Sequence, residues 1–351
     1  MAAPSVDRLR SLVDAMEDRP VPIIADLVAD RFITGTPKRI SREAPVLILS
    51  WEGEHVVPGG GANAVANVAA LGGRPIPFGW VGDDEAGRQL NQAFVDRGID
   101  PRGILVHPGY RTPTKTRILG GGRHAIKQQI VRYDIEDQVT LDEPLREQMA
   151  TRLSEVLGAE ATAPTVAVLS DYGYGAVEPF WVEALRDQLG TSSAILCDSR
   201  YRLRHFEGID GATPNMEEAE TLHGGPLGEP SSGLEANGEA LRQALDAHFL
   251  LITRGSDGMT LLQGQQEVAA HLPVHGTDQV ADVTGAGDTV IGTFALALAA
   301  GAKALEAAIL ANYAGGVVVM KMGTATLSPQ ELHQAISNDP DLPRRIRWAS
   351  C

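Results

Sequence analysis

Short apolar runs alternate along this chain with stretches in which apolar residues return every third or fourth position, the patterns of buried strands and one-sided helices. Residues 21–25, 76–81, 165–169, 194–197 and 249–253 read as strands. Residues 64–71, 84–97, 144–157, 179–189, 216–222 and 234–247 read as the helices among them, and 255–262 with 267–272 as a hairpin. A further strand is expected to end near Val280, with helices over 289–300 and 304–320 closing the main domain. Such alternation predicts an α/β fold, a doubly wound, largely parallel sheet flanked by helices on both faces. Two stretches break it. Residues 31–58 and 112–133 carry the period-two pattern of half-exposed strands, interrupted by glycine and proline, and are expected to pair into a small antiparallel β lid outside the core. Residues 1–20 predict an amphipathic helical extension stopped by Pro20, leaving 21–351 as the main domain. Residues 224–238, rich in glycine, proline and serine, read as a surface loop.

Charge narrows the range of partners. Among 351 residues there are 30 basic and 45 acidic, a net charge of −15. That balance opposes binding to nucleic acid or an anionic membrane, and an anionic ligand would need a local basic pocket. The uncharged apolar stretch 289–302 is too short to cross a bilayer. The two cysteines, Cys197 and Cys351, give no disulfide framework. With no secretory signal read in the first twenty residues, a cytoplasmic location is expected.

The most informative chemistry lies in residues 282–301, DVTGAGDTVIGTFALALAAG. Gly285, Ala286 and Gly287 let backbone amides at a helix start approach an anion closely. Asp288 follows in the first turn, where the helix dipole is expected to stabilise its charged form. A carboxylate beside a phosphate cradle can act as the base for an attacking hydroxyl; a tight turn with an ordinary N-terminal helix charge is the plainer reading.

This stretch closely resembles the C-terminal signature D-x-[TV]-G-A-G-D of the ribokinase-like (PfkB) carbohydrate kinases. Residues 59–63, Gly-Gly-Gly-Ala-Asn, resemble the N-terminal signature of the same family, in its order along the chain. The resemblance implies a ribokinase-like fold with ATP and Mg²⁺ as cofactors. It assigns Asp288 as the base, and the amides of Gly285, Ala286 and Gly287 as stabilisers of the transferred group. Asp30, Gly60, Gly61 and Asn63 would hold the sugar. Asn215 and Glu218, an N-x-x-E match, would organise Mg²⁺ partly through water, and Thr253 and Gly255, a T-x-G match, would meet the nucleotide phosphates. Asp282 and Thr284 resemble a pair contributing to a monovalent-cation site, such as one for K⁺, in some members.

The resemblance narrows further. Asp30-Arg31-Phe32, residues 39–46 (RISREAPV), residues 114–117, Ser170-Asp171-Tyr172 and residues 283–292 look like the bacterial heptose 7-phosphate kinases, often joined to an adenylyltransferase. That likeness implies a sugar phosphate as acceptor, its phosphate met by Arg39, Lys115, Arg117 and Arg132, with Arg42 in the same cluster, and a homodimer paired through the lids. Departures stand at Tyr174 and at residues 198–201, Asp-Ser-Arg-Tyr, where lysines are usual, and the adenylyltransferase motif H-x-G-H is absent from these residues. Kinases of other sugars, and a nucleotide- or sugar-binding regulator, are the alternatives.

Overall fold

The computed structural model describes residues 3–122, 127–264, 268–276 and 281–351. Helix α1 (Val6–Asp14) is capped by Ser5, whose hydroxyl accepts the Arg8 amide at 3.1 Å, and it lays Leu9, Leu12 and Val13 into the main core. Strand β1 (Pro20–Ala25) is buried at every position, as a central strand covered on both faces must be. The chain then leaves the sheet as a long hairpin, β2 (Leu27–Ile40) and β3 (Leu47–Gly60), and returns through α2 (Gly61–Ala70) and β4 (Arg74–Gly82). Helix α3 (Glu85–Val95) and β5 (Ile104–His107) precede a second excursion, β6 (Thr114–Gly120) and β7 (Gln128–Ile135).

Strand and helix then alternate through α4 (Glu143–Gly158), β8 (Val166–Asp171), α5 (Phe180–Leu189), β9 (Ala194–Ser199), β10 (Gly211–Ala212), α6 (Met216–His223), α7 (Leu234–Ala244) and β11 (Phe249–Thr253). A hairpin, β12 (Met259–Gln263) and β13 (Val268–Leu272), leads toward α8 (Ala286–Ala299), α9 (Ala304–Val318), α10 (Pro329–Asn338) and β14 (Arg347–Ser350). The strand expected to end at Val280, the Glu267 start of the hairpin's second strand, and residues 123–126 of the second lid excursion lie outside the described residues.

The main sheet has the order β14-β13-β12-β11-β10-β9-β8-β1-β4-β5. Its strands from β5 to β11 are parallel, and the last three are antiparallel. Neighbouring residues of a strand serve opposite cores. Ile23 and Val168 face the cluster shared with α1, α2, α8, α9 and α10, whereas Ile24 and Leu169 face the cluster built on α4 to α7. This two-sided burial explains the continuous apolar runs. Helix α8 is buried from Asp288 to Ala297 because it lies between α2, α9 and the sheet, hence its apolar character all round. No described helix is long and apolar enough to cross a membrane.

Three features differ from the sequence reading. The lid, of order β3-β2-β6-β7, is mixed rather than antiparallel, because β2 and β6 pair in parallel. Each continues from the carboxyl end of a strand of the parallel part of the sheet, β2 from β1 and β6 from β5, so they run side by side in one direction. Helices α8 and α9 do not close the domain. Ser328 and Glu331 form a reciprocal cap that starts α10 on the surface of α1 and α9, and β14 extends the sheet beyond β13. The short strands β5 and β10 escaped notice because four and two residues carry no readable period.

Candidate active site

The strand order reverses at β1, which has β4 on one side and β8 on the other, and in an open α/β sheet a crevice for ligands forms beyond the carboxyl ends at such a point. A cavity of about 810 Å³ occupies that place, between the strand ends, the lid and the start of α8. Asp288 lies in its wall, only 2% exposed. Its carboxylate accepts the Tyr172 hydroxyl on Oδ1 at 2.6 Å and the Asn63 amide on Oδ2 at 3.0 Å. Burial pushes its pKa up to about 6, against the two hydrogen bonds, which favour the charged form. The expectation that the helix dipole governs its charge is therefore reversed. A first-turn dipole contributes roughly 0.3–1 kcal/mol, which desolvation outweighs here.

The turn before Asp288 is shaped for close approach. Gly285 is left-handed at φ +78, and a side chain there would run into Nδ2 of Asn63. A Cβ on Gly287 would instead project into open space at the cavity. Of the three expected cradle residues, Gly285 and Gly287 line the cavity, whereas Ala286 does not and its amide is bonded to the Val283 carbonyl at 3.2 Å, which closes the turn. Thr324 lines the same space, and its hydroxyl is buried without a protein partner.

Asp30 and Gly60 line the lid side of the cavity, with the Gly61 amide bonded to Asp26 O at 3.2 Å behind them. A Cβ on Gly59 would stand 2.6 Å from the Asp30 carboxylate carbon, so only glycine fits beside it. Nη1 of Arg117 lies 2.9 Å from Oδ1 of Asp30 but outside hydrogen-bond geometry, and both atoms keep capacity for a ligand. Asn63 departs from its expected part. Its Nδ2 serves Asp288 and the Gly285 carbonyl, its Oδ1 accepts from Asn67, and it orients the carboxylate instead of reaching a sugar.

The expected cations separate into two groups. Lys115 and Arg132 line the cavity with Arg117. Lys115 stands 5.4 Å from the centre of the Tyr172 ring, and burial lowers its pKa. Arg132 pairs with Asp134 at 2.6 Å. Arg39 is not brought in: it lies on the exposed outer half of β2, its guanidinium 3.5 Å from the carbonyl of Ile40, because the long hairpin carries it away. Arg42 is likewise exposed beyond the tip of β2. Arg200 supplies a cation that the sequence reading passed over, standing in the cavity wall where a lysine had been counted as lost.

Asn215 and Glu218 also line the cavity, joined as a reciprocal helix cap with bonds of 3.0 and 2.9 Å. Burial raises the pKa of Glu218, and it raises that of nearby Asp198 well above the carboxylate range. Among the described residues no group of three His, Cys, Asp or Glu side chains forms a metal cage. The donor set fits Mg²⁺ carried in on a nucleotide, since that ion keeps several waters and takes one or two carboxylates plus substrate phosphates. Thr253, bridged to Asn215, lines the cavity, whereas Gly255 does not. Asp282 receives the amides of Thr284 at 2.9 Å and Gly323 at 3.0 Å.

Two positioning carboxylates have no role in the sequence motifs. Asp26, fully buried just past β1, accepts the amides of Tyr172, Tyr174 and Ala176 at 2.8, 2.9 and 2.9 Å and so fixes the loop bearing Tyr172. Burial, with Asp171 nearby, lifts its pKa to about 6. Asp171 in turn holds Ser199 at 2.6 Å and Arg202 at 2.7 Å. A carboxylate directly after a fully apolar strand was the available signal for Asp26.

Residues 33–331 match the pfkB family carbohydrate kinase profile. The bifunctional protein HldE of Nitrosococcus oceani is 40% identical over 334 residues, covering 93% of this chain and 65% of that protein. Its counterpart from Pseudomonas aeruginosa is 38% identical over 331 residues, covering 94% and 66%. The chain thus spans about 65% of the length of these relatives. Among solved structures, Arabidopsis thaliana ribokinase complexed with ribose and ATP superposes with a TM-score of 0.67 at 17% identity, over 91% of this chain and 99% of that one. Escherichia coli phosphofructokinase-2 in complex with potassium gives 0.72 at 18%, over 92% and 99%. With two family signatures meeting across one cavity and a match over most of its length, the chain belongs to the pfkB family of carbohydrate kinases.

Proposed function

We infer that this chain transfers the γ-phosphate of ATP to the anomeric hydroxyl of a heptose 7-phosphate. The observation carrying the kinase reading is Asp288, a buried carboxylate with a pKa of about 6, beside the phosphate turn. Above that pH it is ionised and can take the proton of the acceptor hydroxyl. The freed sugar oxygen bonds to the γ-phosphorus, and the bond from that phosphorus to the bridging oxygen breaks with ADP leaving. The amides of Gly285 and Gly287, which line the cavity, stabilise the charge on the group in transit. Asn215 and Glu218 would hold Mg²⁺ partly through water, and the ion would supply charge neutralisation for the triphosphate.

A phosphorylated acceptor is supported by Lys115, Arg132 and Arg200, which line both this cavity and an adjoining chamber of about 620 Å³. An acidic chain that gathers three cations in one wall has built a place for an anion. Tyr174 stands where the resemblance expects a lysine, which favours, as second reading, a kinase for a different sugar phosphate. The homodimer, with lids paired, is supported by an exposed apolar lid surface that includes Ile40, Val46, Trp51, Ile130, Val131 and Tyr133. A K⁺ site near Asp282 and Thr284 and a cytoplasmic location belong to the same reading.

The test is ADP release with ATP and Mg²⁺ over a panel containing D-glycero-D-manno-heptose 7-phosphate, ribose, fructose and fructose phosphates. Turnover with the heptose phosphate alone is expected. Turnover only with another sugar phosphate would move the assignment to the second reading, and silence across the panel would defeat the kinase reading in favour of a binding protein.

A further inference from the structure

Asp288 does not stand alone in its wall. Among the described residues two side chains hydrogen-bond its carboxylate, Tyr172 on Oδ1 and Asn63 on Oδ2. The phenol lies in the loop after β8, whose course is set by the three amides that Asp26 accepts. Its ring is covered by the ammonium of Lys115 at 5.4 Å from the ring centre. The ring is therefore fixed on its backbone and on its face, and its hydroxyl is left with one short bond, 2.6 Å, to Oδ1 of Asp288. Such a distance is typical of an O–H donor on an ionised acceptor.

We propose that Tyr172 is the positioning residue for the base: its hydroxyl and the Asn63 amide hold one lone pair on each oxygen of Asp288, fixing the plane of the carboxylate and leaving the remaining lone pairs for the incoming hydroxyl. The proposal rests on the kinase reading of Asp288 and goes beyond it, since neither signature contains Tyr172. The bond acts in two ways. It sets the direction from which a proton can be accepted, and a small misplacement of a catalytic group can cost about a hundredfold in rate. It also favours the charged carboxylate against burial. Other charges reach the pair from several elements: Asp30 on β2 opposes ionisation of Asp288 and Lys115 on β6 favours it, while Asp198 on β9 and Arg200 just after it act in opposite senses on the phenol. The phenol itself stays protonated, its pKa held well above the usual value by burial. It is a donor throughout, never the base.

The perturbation is Tyr172→Phe in the full chain, which keeps the ring and the seat of Lys115 and removes only the hydroxyl. The first readout needs no acceptor. With aspartate carboxyl carbons labelled by ¹³C, the Asp288 resonance is identified by its loss in Asp288→Asn and followed with pH. The midpoint is expected to rise by about one unit in Y172F, the size expected for a hydrogen bond to a charged group; an unmoved midpoint overturns the proposal. The second readout is steady-state kinetics with whichever acceptor the panel identifies. At pH near 6, kcat is expected to fall about tenfold or more with KM changed less than about twofold, and the acid limb of the kcat profile should move up with the midpoint. A higher KM with unchanged kcat would mean that Tyr172 touches substrate, and would also overturn it. If no acceptor turns over, the kinase reading fails while the carbon titration still decides what Tyr172 does to Asp288. Should Y172F not fold, fluorinated tyrosine in the wild-type chain, a stronger donor, is expected to move the midpoint down, and no movement would count against the proposal.

Discussion

Replacing Asp288 should make this protein more stable. Asp288 has a pKa near 3.8 when unfolded and about 6 in the fold, with burial as the leading cause. Because the folded value is the higher one, the native state binds the proton more tightly than the unfolded chain. The stability associated with this group is present below pH 3.8 and is lost as pH rises through about 6. A shift of about two units at 1.36 kcal/mol each puts the cost of keeping the carboxylate ionised at roughly 3 kcal/mol. Asp288→Asn removes that cost. It also turns one acceptor oxygen into an NH₂ group, which the Tyr172 hydroxyl can meet by rotating to accept, at a loss of about 1 kcal/mol. The net expectation is a gain of about 2 kcal/mol at pH 7.5, or about 3 °C in Tm for a chain of this size, with turnover abolished. Urea unfolding followed by the fluorescence of buried Trp80 and Trp181, without nucleotide, measures it at pH 7.5 and again near pH 4.5, where the gain should shrink to little or nothing. A variant no more stable than the parent at pH 7.5, or one with the same gain at both pH values, would refute the argument that desolvation governs this carboxylate.

Other substitutions test the surrounding structure. Asp26→Ala strands three buried amides and should destabilise the fold by about 3 kcal/mol while lowering kcat, read by the same urea assay and by ADP release. Lys115→Ala and Arg200→Ala should each raise KM for a sugar phosphate about tenfold or more while KM for ATP stays within about twofold; equal effects on both substrates would remove them from the acceptor end. Leu9→Ala, in a helix whose apolar face is fully buried, should cost about 2–5 kcal/mol, whereas a loosely attached extension would show almost no effect. Trp51→Lys should turn a dimer into a monomer in light scattering at micromolar concentration, and an unchanged mass would exclude the lid face as the interface.

The fold was legible where burial is two-sided, because strands such as β1 and β8 then read as unbroken apolar runs with helices between them. The phosphate turn was legible too, since few sequences place glycines, a carboxylate and an apolar helix in that order. What escaped depends on pairing or enclosure. Strand β14 carries Arg347 and Ser350 and exists because β13 offers an open edge, and the parallel contact between β2 and β6 joins residues over eighty positions apart. The raised pKa of Asp288 escaped for a similar reason: a first-turn carboxylate looks stabilised until the walls around it are known. Tyr172 lay inside a recognised run, Ser170-Asp171-Tyr172, yet its partner is 116 positions away. Asn63 shows the converse, since its motif pointed to the sugar and its amide points to the base.

The parallel register between β2 and β6 sets Asp30 opposite Lys115 and Phe32 opposite Arg117. Asp30 and two of the cations lining the cavity, Lys115 and Arg117, are thereby fastened to one ladder of backbone hydrogen bonds. Any movement of the lid carries them together, changing their distance from Asp288 without altering the spacing between them. Arg200, just past β9, lies outside that ladder, so such a movement would change its spacing from Lys115 and with it the size of anion the two could hold together.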